Sequence, residues 1–228
     1  MIFGLAFILR VESTSYVPTE YNYANAFCYS KYLKMKIPND LKTAIINMPD
    51  KEKDKLLIRL VSKNIMLLNQ LHFKLLEESG TTEERREEIE NKIIQRAKYY
   101  PERYYSPGYL MMEMRDISGL INEHVSITKD KVGEVELQLL MLNELIRRNK
   151  DKLAHATSYK RSSLDNYVVL RAKKMVNSIA KFHDDLLINF YDQLQALGKL
   201  FQDLNLTNTA EQNGFSINLL LNPDDINP

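Results

Sequence analysis

Four histidines, at positions 72, 124, 155 and 183, and one cysteine, Cys28, are all the imidazole and thiol in 228 residues. That inventory limits the chemistry. A single cysteine excludes an intrachain disulfide and a cysteine-based zinc cage, and Cys28 has no histidine near it in sequence to activate it as a nucleophile. The phosphate-binding patterns G-x-G and G-K-S/T do not occur, nor do G-x-S-x-G, H-E-x-x-H and E-x-x-H, so the usual nucleotide loops, nucleophile elbow and helical metal steps are missing. What remains is an adjacent pair, His183-Asp184, with His155 upstream. Imidazole and carboxylate together suit a divalent metal that activates water. His155, His183 and Asp184 are therefore the candidate metal ligands.

The order of these three residues resembles that in the histidine–aspartate metal phosphohydrolases, an all-helical family that uses a first His, an adjacent His-Asp pair and a distant Asp. The resemblance implies a fourth ligand, for which this chain offers Asp192 or Asp203. Both stand close behind the pair on one expected helix, and His155 falls in an expected linker. Read without the resemblance, His183 and Asp184 flank an apolar seam at the protein surface.

A second set of residues offers charge. Between Arg147 and Lys174 stand Arg147, Arg148, Lys150, Lys152, Lys160, Arg161, Arg171, Lys173 and Lys174, against two acids, a net of +7 in a chain whose total is +1. Tyr159 and Tyr167 are interleaved. Cations neutralise phosphates and release counterions, while aromatic rings stack on unpaired bases, so this stretch is the candidate nucleic-acid surface. Its other reading is local: Arg147, Arg148 and Lys150 meet the negative end of a helix dipole, and the acidic segment 203–225 folds over the patch. The small total charge gives no global attraction for nucleic acid or an anionic membrane.

The third set is aromatic. YYPERYYSPGY, residues 99–109, holds five of thirteen tyrosines. At a corner between two helices tyrosine buries its ring and keeps its hydroxyl wet. Exposed Tyr and Arg together also make good contact points for a partner. Tyr100, Arg103, Tyr104, Tyr105 and Tyr109 are the candidate partner-binding residues.

These sets need elements to hold them. Glycine and proline are scarce between 50 and 200, and apolar residues recur every three or four positions, which predicts helix after helix. Asn39 caps a short helix ended by Pro49. Asp50 starts a long one running to Gly80. Thr81 and Glu84 form a capping box for a helix over 83–99. Ser106-Pro107 opens the next, and Thr128 caps the one after it. Residues 155–163 read as a linker. From Val168 to Leu204 the apolar positions step by four and three with one extra residue near 186–190, which predicts a single helix of about 60 Å at about 1.5 Å per residue. Such a seam suits a bundle spine or a dimer.

The ends differ. MIFGLAFIL has nothing basic before it, lacks a well-placed small-x-small site and is too short to span a bilayer. Residues 1–37 read as an N-terminal arm, or as an upstream extension ahead of a natural start at Met35. Residues 205–228 carry no Lys or Arg and are rich in Asn, which reads as a mostly disordered acidic tail. Two pieces, LKTAIINMPDKEKDKLLIRLVSKN (41–64) and FHDDLLINFYDQLQALGKLF (182–201), resemble an uncharacterised bacterial family of small helical proteins. That resemblance implies an intracellular all-α protein and carries no activity.

The expectation is an all-α domain over 38–204, an irregular antiparallel bundle of about six helices with one long C-terminal helix. Its leading function is that of a non-enzymatic cytoplasmic interaction or scaffold module, with a protein partner or self-association, no cofactor and no membrane span. Nucleic-acid binding and metal-dependent phosphohydrolysis follow as alternatives.

Overall fold

The computed structural model of the chain describes residues 37–77 and 81–226. Most of the N-terminal arm, Cys28 and the expected stop at Gly80 thus lie outside the described residues. The described chain is helical, and no strand occurs among those residues. No described helix is long and apolar enough to cross a membrane. Two compact units are distinguished, Met1–Leu56 and Leu57–Pro228.

In the first unit, α1 (Asn39–Ile46) takes Pro38 rather than Asn39 as its N-cap. The Thr43 hydroxyl donates to the Asn39 carbonyl at 2.9 Å, so Asn39 is already inside the helix. After Pro49, α2 (Asp50–Val61) begins, and its second half opens the other unit. Neither helix has a fully buried residue.

The expected long helix to Gly80 is broken. Asn64 adopts an extended conformation and its side chain accepts from the Leu67 N–H at 3.1 Å, capping a separate α3 (Ile65–Leu76). Asn side chains favour this role because they compete for local backbone donors. α4 (Thr81–Arg103) runs past Tyr99 and through Pro101. α5 (Pro107–Thr128) starts as expected, with the Ser106 hydroxyl accepting from the Tyr109 N–H at 3.4 Å. α6 (Lys131–His155) is capped by Asp130, not Thr128: the Asp130 carboxylate accepts from the Gly133 N–H at 2.8 Å. A Cβ at Gly133 would stand 2.0 Å from that carboxylate, which is why glycine occupies the position.

α6 is the centre of the second unit. It packs against α4, α5, α7 (Ser158–Ile179) and α9 (Tyr191–Asp203), and it buries residues on several sides, among them Leu137, Leu139, Met141, Leu142 and Leu145. The expected linker shrinks to Ala156-Thr157, since most of 155–163 is helical.

The single 60 Å helix is corrected too. It stops at Ile179, restarts as the short α8 (Asp184–Leu187), passes through a 3-10 turn (Ile188–Phe190) and continues as α9. Yet the seam that predicted it is real. Val168, Ala172, Met175, Ile179, Phe190, Leu194, Leu197, Phe201 and Leu204 are all buried. They fill this chain's own core, so the seam is not free for a second copy.

The tail is folded, which reverses the expectation of disorder. It forms α10 (Thr207–Gln212), α11 (Asn218–Leu221) and a 3-10 turn (Pro223–Ile226), and buries Leu206, Ala210, Phe215, Ile217 and Leu220 in the core. α11 lies directly on α9 at Gly198. A Cβ there would come within 2.8 Å of the Leu221 side chain and 3.1 Å of Leu220 Cβ.

Candidate functional site

The tyrosine corner joins the end of α4 to the start of α5, and it divides into two layers. The inner layer is Tyr100 and Tyr104, partly buried against the core, their rings edge-to-face at 6.3 Å. Both hydroxyls are buried and make no hydrogen bond among the described residues. Burial, assisted by the nearby Glu113 carboxylate, pushes the Tyr100 phenol up to about 12. Burial also raises Tyr104, against the opposing charge of Arg161. The outer layer is Tyr105 and Tyr109, exposed and edge-to-face at 5.1 Å. Tyr99 is exposed with Lys98 over its ring, and Arg103 is exposed beside them. The corner expected either as a lid or as a contact surface thus has an inward layer against the core and an outward layer in solvent.

Cations of the basic stretch brace this same end of the fold. Lys152 donates to the Pro101 carbonyl and sits 5.2 Å from the centre of the Tyr104 ring, tying α6 to the end of α4. Arg161 pairs with Asp165 at 2.9 Å and donates to the carbonyls of Leu153 and Leu204, so one guanidinium fastens the ends of α6 and α9 to α7. Planar, multidentate guanidinium suits such a joint. Asp165 is buried; its carboxyl is pushed up by desolvation, which the Arg161 pair opposes without cancelling. Lys150 pairs with Asp203 at 2.6 Å, and Lys173 donates to the Asn213 carbonyl at 2.9 Å. Lys174 reaches Glu134 at 3.0 Å, Arg147 and Arg148 share Glu144, and Arg171 lies 5.2 Å from the Tyr167 ring centre. Of the nine, Lys160 alone has no partner among the described residues; it is exposed next to Tyr159, which is 91% exposed. The C-terminal segment does fold over the stretch, through backbone carbonyls as much as through acids.

The histidines are not brought together. His155 ends α6, its Nδ1 2.6 Å from the Asp151 carbonyl. His183 lies beyond the far end of α7, where its Nδ1 accepts from the Asp185 N–H at 3.4 Å to cap α8, which Asp184 begins. α7 has 22 residues, about 33 Å at 1.5 Å per residue, so His155 cannot share a metal with His183-Asp184. Among the described residues no three His, Cys, Asp or Glu side chains gather into a metal-holding group.

Sequence reasoning missed two charged knots and one surface. In the first knot Asp130 receives the Arg86 guanidinium at 2.7 Å and stands 3.5 Å from His124 Nε2, while Arg86 also reaches Glu136 at 2.9 Å. Burial would raise the Asp130 carboxyl, but hydrogen bonds from His124, the Gly133 N–H and Arg86 hold it at about 2. In the second, Arg85 grips Glu77 and His72 Nδ1 stands 2.9 Å from the same carboxylate. The Arg85 hydrogen bond outweighs desolvation and, with His72 and Thr81, holds Glu77 at about 2. Neither knot has a sequence signature, because the partners come from different elements.

The missed surface is apolar. Of the eighteen exposed large hydrophobic residues among those described, seven fall between Leu57 and Leu76 in the second unit, and the first unit has four of its own. α3 is apolar around most of its circumference. Met66, Leu67, Gln70, Leu71 and Phe73 are half-buried, α3 packs on α5, and Gln70 donates to the Ser126 carbonyl at 3.0 Å. Ile65, Leu68, Leu75 and Leu76 are exposed. The signal was visible as a helix with no polar face. No protein-family model, curated protein or solved structure matches the chain.

Proposed function

We propose that this protein is a non-enzymatic helical interaction or scaffold module, an irregular bundle about α6 that presents surfaces to a protein partner. The observation that carries this reading is the concentration of seven exposed large apolar residues between Leu57 and Leu76 of the second unit. Globular chains rarely concentrate so many large apolar side chains in water over one short stretch without a use for them. The outer tyrosines and Arg103 supply a further contact surface of the composition interfaces favour. A single cysteine agrees with a cytoplasmic setting.

Site-specific photo-cross-linking in cells producing the full chain tests the proposal. A photoreactive residue replaces Leu68, Tyr105 or, as control, exposed Glu88. Discrete protein adducts from position 68 or 105, absent from the control, are expected. Equal, diffuse labelling from all three positions would remove the basis for an interaction module.

A further inference from the structure

Both polar atoms of the Gln138 side chain are buried, and neither makes a hydrogen bond among the described residues. The residue itself is 3% exposed. A carboxamide in that state is costly unless something pairs with it. Gln138 lines a recess between α6 and α7 that opens to solvent. The deep wall is Val135, Gln138 and Met175, all buried, and the rim is Arg171, Lys174 and Ser178. The free volume is about 10 Å³, room for one oxygen atom the size of a water.

The rim carries more positive charge than its acid consumes. Glu134, the one acid lining the recess, is held by Lys131 and Lys174 together, at 3.0 Å each. Arg171 makes no ion pair among the described residues; its guanidinium lies 5.2 Å from the centre of the Tyr167 ring. Arg115 of α5 lies 5.7 Å from the same ring and is equally without a carboxylate. The Tyr167 hydroxyl is hydrogen-bonded to buried Ser118 at 3.1 Å, which fixes the ring that steadies Arg171. A planar guanidinium with free N–H groups suits an oxyanion. Acceptors stand there too. The Ser178 hydroxyl donates to the Lys174 carbonyl at 3.0 Å, which leaves its oxygen to accept, and Gln138 Oε1 only accepts. A ligand that fits therefore brings negative oxygens and one O–H.

We propose that this recess binds a phosphate group that retains a proton, as inorganic phosphate or a small phosphate monoester. The P–OH enters the recess and donates to Gln138 Oε1. A neighbouring oxygen at the mouth accepts from Gln138 Nε2, and the remaining oxygens meet Arg171 and Lys174 at the rim. A phosphate monoester gives up its second proton near about pH 6, so part of the population keeps it at neutral pH. Sulfate has a similar shape but no proton there. It would set a bare oxygen against Gln138 Oε1, and a site built to receive an O–H rejects the analogue that lacks one. The phosphodiester of a nucleic acid fails on the same ground.

The test is isothermal titration calorimetry of the full-length chain, at neutral pH and fixed ionic strength, with inorganic phosphate, methyl phosphate, sulfate and a short single-stranded RNA without terminal phosphates. Saturable binding of inorganic or methyl phosphate is expected, at least about tenfold tighter than that of sulfate; the tighter of the two names the source. Gln138→Met, close in volume, should weaken phosphate by at least about tenfold and erase the preference over sulfate. Its thermal unfolding midpoint should stay the same or rise, since the change removes an unpaired buried amide. Arg171→Gln should weaken phosphate and sulfate alike, and Arg147→Gln, whose guanidinium is held by Glu144, should change neither. Phosphate bound no better than sulfate, or not saturably, would overturn the proposal, as would phosphate binding that Gln138→Met leaves intact. RNA bound more tightly than phosphate and lost on Arg171→Gln would also overturn it, and would assign the rim to a nucleic-acid backbone. The exposed residues of Leu57–Leu76 play no part in any of these outcomes, so the interaction-module reading stands or falls separately.

Discussion

The helices from Thr81 onward and those before it are made of similar residues but solve opposite problems. In α4 to α11 the apolar residues point at one another: Phe190, Leu194, Leu197 and Phe201 are entirely buried, and even the Asn-rich end of the chain contributes Leu206 and Leu220. In α1, α2 and α3 no residue is fully buried. Apolar periodicity therefore predicts helix equally well in both regions, but it predicts core in only one. A helix buries its stripe only if another element arrives to cover it.

The difference can be broken most severely from the core side. Phe201→Ala should cost about 3–5 kcal/mol, read as a fall in the urea midpoint without a change in slope; a loss under 1 kcal/mol would mean the seam is loosely packed. Next comes the knot at the start of α6. Asp130→Ala removes a helix cap and strands Arg86 and His124, for a loss of about 2–4 kcal/mol. Acid should do the same gradually. The Asp130 and Glu77 carboxyls are held at about 2, below their ordinary values, so their stabilisation is present above about pH 4.5 and fades as pH falls toward 2. Denaturant midpoints that stay flat between pH 5 and 2.5 in the native protein would refute that assignment. Gly198→Ala should follow with about 1–2 kcal/mol, because the Leu221 side chain must turn aside and Leu220 must give by a few tenths of an ångström to admit a methyl group. Unchanged amide exchange in residues 206–221 of that variant would show that the contact yields freely. Smallest is Leu68→Ala on α3, expected within about 0.5 kcal/mol; a loss near that of Phe201→Ala would erase the distinction between the two regions.

Much of the core was legible in the sequence. The seam from Val168 to Leu204 named most of the buried positions in that stretch, missing Val169, Val176, Leu187 and Leu200, and Ser106-Pro107 marked the start of α5 correctly. What could not be read was continuity. The break after Ile179 depends on His183 capping α8 with a ring nitrogen, and that at Asn64 on a side-chain cap in the middle of an apolar pattern. The final helices escaped notice because their burial depends on the notch at Gly198, far away in sequence. Charge showed the same limit. Nine cations could be counted, but the partners of Lys150, Lys174 and Lys173, namely Asp203, Glu134 and the Asn213 carbonyl, lie 40 to 53 residues distant from them. Among the tyrosines, spacing could not separate inward Tyr100 and Tyr104 from outward Tyr105 and Tyr109, since a corner has no period.

The notch at Gly198 also has a temporal side. α9 emerges from the ribosome before residues 206–221, so for an interval the nascent chain displays an open apolar groove of its own making. Closure requires nearly the whole second unit to have been synthesised. A chain broken off inside this segment would keep the groove open, and that is the kind of surface chaperones and proteases read. The last short helices thus act as a seal over α9 whose arrival closes that apolar surface.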